Sequence, residues 1–187
     1  MSEILATADD GYLRVRLARS EHPVNPRHNT GNLVHVITID THLDQYEPVD
    51  RHGGPLADIW KRLASNRWRG IELFTRYVST MHDGIVLESA PENGPRSLWY
   101  MTGQEMYELD FGILSEGYVE AEKEEYEAWL SGDVWDFVVE KKTHVFKADE
   151  PYWKPIESRS SLYGGPYARD MARSALRRWA ERSAGTS

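Results

Sequence analysis

The apolar residues of this 187-residue chain fall into runs of two periods, and the order of those runs excludes an alternating β–α–β fold. Tyr12–Leu17 alternates, with Leu13, Val15 and Leu17 on one side and Arg14 and Arg16 on the other. That pattern predicts a half-buried strand. Ser20–Gly31 is polar with two prolines and reads as a loop. Leu33–Ile39 is apolar and β-branched, which predicts a second strand covered on both faces. Thr41–Gly54 reads as a second loop. Behind Pro55, the residues Leu56, Ile59, Trp60 and Leu63 repeat at i, i+3, i+4 and i+7. They predict an amphipathic helix with proline at its first position, stopping near Asn66. Ile71–Val78 and Ile85–Glu88 predict two strands joined by the His82-Asp83-Gly84 turn, with Gly84 supplying positive φ.

Leu98–Met101 predicts a short strand, and Thr102 with Glu105 has the form of a capping box. Val119–Leu130 predicts a helix with Val119, Tyr126, Trp129 and Leu130 inward, closed by Ser131-Gly132. Val134–Val139 predicts a strand, Lys141–Thr143 a turn, and His144–Phe146 a short partner strand. Ala148–Gly165 reads mostly as loop. Pro166 then opens a last helix to about Ala180, with Tyr167, Met171, Ala175 and Trp179 along one face. Strands in succession pair as hairpins. The expected architecture is a single α+β domain over residues 1–187, a mixed or antiparallel sheet packed by three to four helices. The termini, about 1–9 and 183–187, are expected to fray.

An apolar content of 40% suits a globular chain of this length, with one sizeable core. Seven tryptophans and ten tyrosines supply ring area for that core and a surplus for a contact surface. The absence of cysteine excludes disulfides, thiolate metal sites and cysteine nucleophiles, and fits a reducing compartment. Met1–Asp10 lacks the basic-then-apolar pattern of a secretory signal. No apolar run approaches the roughly 18 residues of a membrane span. A cytoplasmic protein with no membrane contact is expected.

The net charge of −8 is spread unevenly. Glu105–Glu150 holds 14 carboxylates against four lysines, a net −10, while the rest of the chain carries 18 basic and 16 acidic residues. Glu116, Glu120, Glu124 and Glu127 form an outward stripe on the predicted helix, widened by Glu122 and Glu125, with Lys123 as the local cation. Like charges at i, i+4 each cost a few tenths of a kcal/mol, so such a helix depends on its packed face. These four glutamates are the candidate partner-binding residues. They read either as a solvated face or as an imitation of a phosphate row. Arg169, Arg173 and Arg177 make one stripe on the last helix, a candidate dimer or phosphate contact. Pairing with the acidic segment, in the same chain or a second copy, is favoured over direct nucleic-acid binding.

The Walker A, G-x-G-x-x-G, H-E-x-x-H and G-x-S-x-G templates are absent. His82 and Asp83 are the weak catalytic candidates, an acid–base pair if a carboxylate such as Glu88 or Asp110 lies near. Turn chemistry explains them equally well. Asp40, His42 and Asp44, with His35 or His52, are metal-ligating residue types without a recognised spacing. No metal or cofactor is expected.

Several short motifs recur in a familiar order. They are Asn25-Pro26-Arg27 with Asn29 and Gly31, His82-Asp83-Gly84-Ile85, and Trp99-Tyr100-Met101-Thr102. Trp129-Leu130-Ser131-Gly132-Asp133-Val134, Val138-Val139-Glu140 and Ser161-Leu162-Tyr163-Gly164-Gly165-Pro166-Tyr167-Ala168 follow. Over roughly residues 20–175 the chain resembles a widespread family of small, acidic, uncharacterised bacteriophage proteins. It departs from that pattern at Ile37, where the family often has histidine. It departs again at Asn93-Gly94-Pro95-Arg96, in place of a Trp-Asp-Ser-Gly run. The resemblance implies a phage origin and residence in the host cytoplasm, and it implies no reaction. The expected function is that of a phage accessory protein binding a host protein through an acidic, aromatic-rich surface, as an anti-defence or host-takeover inhibitor. The alternatives are a small enzyme or nucleotide-binding protein using the His82–Asp83 turn, and a self-assembling structural protein, a homodimer.

Overall fold

A computed structural model describes residues 2–28, 32–39, 53–65, 69–92, 94–108, 115–143 and 152–184. In chain order the elements are β1 (Ser2–Thr7), β2 (Leu13–Arg19), β3 (His35–Thr38), α1 (Ala57–Ala64), α2 (Gly70–Met81), β4 (Ile85–Ser89), β5 (Ser97–Met101), α3 (Gly103–Glu108), α4 (Ser115–Leu130), β6 (Val134–Thr143), β7 (Tyr152–Tyr163) and α5 (Gly165–Ala184), with a 3₁₀ turn at Pro26–His28. The fold is α+β, as the order of periodicities requires, and its strands form two antiparallel sheets. By its contacts the chain falls into two compact units, Met1–Val24 with Gly132–Ser187, and Asn25–Ser131. The charge divides with them. Asn25–Ser131 carries 18 acidic and nine basic residues, and the remainder carries 12 and 13. No described helix is long and apolar enough to cross a membrane.

The first unit is a four-stranded sheet in the order β1-β2-β6-β7, with α5 on one face. Leu13, Val15 and Leu17 of β2 are buried as the alternation predicts, and with Phe137 and Val139 they meet Ala168, Ala172, Ala175 and Leu176 of α5. The alanines decide which face of α5 turns inward, because small side chains let the helix backbone approach the sheet. The expected face is therefore rotated: Ala175 is buried, Met171 and Trp179 are half-buried, and Tyr167 is 53% exposed.

Three expectations fail in this unit. Ser2–Thr7 does not fray but pairs with β2 as an edge strand. Lys141–Thr143 continues β6 rather than turning. Tyr152–Tyr163, expected as loop, is a 12-residue strand. Its composition hid it, since Pro155 and a mostly polar, exposed sequence are tolerated only where one strand edge is unpaired. The strand expected at His144–Phe146 lies outside the described residues. Register shifts between Trp135 and Phe137, so that Ser160 and Ser161 oppose Asp136 alone. This bulge holds Ser161 at φ 57, with its N–H donating to Asp136 Oδ1 at 3.0 Å.

The second unit is a three-stranded sheet in the order β3-β5-β4. Every residue of the central strand β5 is buried. Alternation sends Leu98 and Tyr100 to one face, where they meet Ile37, Leu56, Phe74 and Val78. Trp99 and Met101 go to the other, where they meet Val34, Val36, Val119 and Tyr126 of α4. The double-faced burial expected around Leu33–Ile39 is present. The strand expected at Ile71–Val78 is instead α2. Its β-branched and aromatic composition suggested a strand, yet Phe74 and Val78 lie four apart on one buried helical face. The His82–Gly84 turn therefore joins a helix to a strand. Its positive φ belongs to Asp83, at 49°. Gly84 is needed for space, because a Cβ there would stand 2.6 Å from the Met101 carbonyl and 2.7 Å from Val78.

Candidate functional site

Helix α4 is the acidic element of the second unit, and its glutamates do not behave alike. Glu120 and Glu124 are exposed as predicted. Glu116 lies on α4, its side chain outside the described residues. Glu127 is half-buried, accepts a hydrogen bond from the Ser89 hydroxyl at 2.5 Å and lies 3.9 Å from Lys123. Glu122, expected to widen the outer stripe, faces inward. It is 8% exposed and forms an ion pair with Arg27, itself 5% exposed. Its second oxygen accepts the Leu33 N–H at 2.9 Å, and Arg27 donates to the Val34 carbonyl at 2.7 Å beneath the Trp99 ring. The position of Glu122, two residues from Glu120 and Glu124, turns it off their line; the helical period carries that signal. Nothing in Asn25-Pro26-Arg27 marked the arginine as its partner. Burial, and then the Glu122 charge, push the Tyr118 phenol up.

A groove of about 490 Å³ runs beside α4, lined by Glu92, Glu124 and Glu127 together with Pro91, Ala128 and Leu130. A lining that combines carboxylates with apolar side chains suits a basic chain that also carries apolar side chains.

The His82–Asp83 turn lies on a second cleft, of about 620 Å³, whose other carboxylates are Glu105 and Glu108. Glu88, the partner first expected, is instead held by Arg96 at 2.5 Å. Asp110 lies outside the described residues. The capping box at α3 is formed. Glu105 accepts the Thr102 N–H at 2.9 Å and its hydroxyl at 2.6 Å, and also contacts His35 Nε2 at 2.7 Å. The buried Tyr100 hydroxyl fixes the wall of this cleft. It donates to the Gly53 carbonyl at 2.6 Å and accepts the Leu56 N–H at 3.0 Å. Gly54, at φ 73, is required there, since a Cβ would run into the His35 ring. Among the described residues no group of three or more ligating side chains could hold a metal ion. Of the residues weighed for one, His35 is engaged by Glu105; Asp40, His42, Asp44 and His52 lie outside the described residues.

In the first unit the arginine stripe also divides. Arg169 stacks 5.6 Å from the Trp135 ring, which Arg19 approaches at 5.0 Å, while Arg173 and Arg177 stand exposed. Asp133 organises this corner. It accepts Trp135 Nε1 at 2.7 Å and the Gly165 N–H, at the start of α5, at 2.9 Å.

Two carboxyls give the chain an acid dependence. Burial pushes Glu105 up, but the Thr102 hydroxyl and N–H and the His35 ring outweigh it and hold it below the ordinary 4.5. Burial likewise raises Asp133, and Trp135, the Gly165 N–H, Arg19 and Arg169 bring it below 3.8. A depressed carboxyl stabilises the folded state above its unfolded value, and that stability is lost as pH falls through the folded value. The urea midpoint should hold down to about pH 5 and decline below it. In Glu105→Gln combined with Asp133→Asn the decline should be shallower; an unchanged slope would clear both groups of any part in it.

No protein-family model, no curated protein and no solved structure matches this chain.

Proposed function

We propose that this protein is a bacteriophage accessory factor that acts in the host cytoplasm by binding a basic host protein through the acidic face of its second unit, as an anti-defence or host-takeover inhibitor. The observation that carries the binding reading is the groove beside α4, lined by Glu92, Glu124 and Glu127 together with Pro91, Ala128 and Leu130. The phage setting rests on the motif order from Asn25 to Ala168. A basic protein segment is favoured over imitation of a phosphate row. With Glu122 buried and Glu127 held by Ser89, the glutamates of α4 that stand exposed among the described residues are Glu120, Glu124 and Glu125, a cluster rather than a row that follows a nucleic-acid backbone. Charge of this kind mainly speeds encounter and fixes the partner's register.

The test is capture of host proteins on the immobilised chain, with identification by mass spectrometry, beside the Glu120→Lys and Glu124→Lys double variant. A basic protein held by the parent and released by the charge reversal supports the reading. Equal capture by both chains removes the acidic face from it.

A further inference from the structure

The sheet of the first unit has two faces, and among the described residues of that unit only one is covered, by α5. The other face carries an ordered set of rings and cations. Register places Lys142 of β6 opposite Trp153 of β7, and the Lys142 N–H donates to the Tyr12 carbonyl at 2.7 Å. Tyr12, at the entry to β2, Lys142 of β6 and Trp153 of β7 thus form a row across three neighbouring stretches of backbone, about 4.8 Å from one to the next. Tyr12 is 51% exposed, Trp153 and Lys142 partly so. One step along the sheet is a second row. Arg14 lies 4.1 Å over the Trp153 ring and 2.6 Å from Glu140, and Arg16 reaches the same carboxylate at 3.5 Å. Glu140 holds both arginines on the face without cancelling their charge, since two guanidiniums and Lys142 gather about this one carboxylate, while Asp136 lies on the same face further along β6.

We infer that this open sheet face binds single-stranded nucleic acid, with bases stacking on Tyr12 and Trp153 and phosphates meeting Lys142 and Arg16. A ring, a cation and a ring in succession match the alternation of base and backbone in an unpaired strand. Every base offers a π-face, so recognition is tolerant of sequence. A duplex keeps its bases stacked internally and cannot use the rings. The site lies on the sheet rather than on the arginine stripe of α5. It is independent of the acidic-face reading, which concerns the other unit.

The experiment is fluorescence anisotropy of labelled oligothymidylate and oligouridylate, roughly 12 nucleotides long, titrated with the full chain. Binding should weaken about sevenfold between about 50 and 200 mM salt as Lys142 and Arg16 each meet one phosphate, at a single-strand slope of about 0.7 per contact. Trp153→Ala and Lys142→Glu should each weaken it at least about tenfold, and Arg173→Glu with Arg177→Glu should leave it unchanged. Tyr12→Ala, at an exposed position outside the strand, keeps the test open should Trp153→Ala fail to fold by circular dichroism. The inference is overturned by absent binding at low salt, by equal affinity for duplex, by equal competition from polyglutamate, or by ring variants that bind as the parent does.

Discussion

Glu122→Ala should lower the unfolding free energy by about 3–5 kcal/mol in urea denaturation, as expected when one member of a buried ion pair is removed. The partner left behind is Arg27, a guanidinium that stays charged at all accessible pH. It is buried between the Val34 carbonyl and the Trp99 ring. The variant also strips the Leu33 N–H of its acceptor, a further loss of about 1–3 kcal/mol where the group stays dry. Glu120→Ala, two residues away on the solvent side of the same helix, should change stability by no more than about 0.5 kcal/mol. The pair itself need not be net stabilising. Replacing both members with apolar residues, as Arg27→Met with Glu122→Leu, should recover most of the loss. If the single variant behaves like Glu120→Ala, Glu122 is a surface residue and does not hold Arg27 and the Leu33 N–H.

That pair marks where sequence reading stopped. The Val119 and Tyr126 face of α4 was legible because apolar spacing reports the buried side of a helix directly. Glu122 shares that spacing with Val119 and Tyr126, so the helical period carries its inward direction too. The cation that holds its charge there carried no signal, because Arg27 is 95 positions away. The same distinction separates β2 from β7. Strand β2 alternates cleanly because one face is covered by α5, whereas β7 is an edge strand paired on one side only, where Pro155 and polar residues are tolerated and few positions, such as Leu162, reach the core. Local chemistry fared better than pairing. Thr102 and Glu105 lie within one turn, and their capping box formed as the spacing implies. The His82–Asp83 turn was found, but the carboxylates beside it, Glu105 and Glu108, come from an element some twenty residues on, and only the fold brings them together.

Phe74→Ala should cost about 3–5 kcal/mol, and its contrast with Leu73→Ala tests the element that sequence misassigned. Read as a strand, 71–78 alternates so that Ile71, Leu73 and Tyr77 share a face against Glu72, Phe74 and Arg76. Leu73 would then be the core residue. On the helix the order reverses. Phe74 is fully buried, edge-on to Trp60 at 5.6 Å and to Tyr100 at 5.5 Å, while Leu73 is only half-buried. Loss of the Phe74 ring opens a cavity against Tyr100, whose hydroxyl holds the Gly53–Leu56 wall of the second cleft. The damage should therefore spread to α1, which that wall precedes. Leu73→Ala should cost roughly 1 kcal/mol, the part of its side chain that leaves water. Denaturant midpoints at constant slope give both numbers. A larger loss at Leu73 than at Phe74 would restore the strand, and with it an alternating sheet in place of the helix that now shields Leu98 and Tyr100.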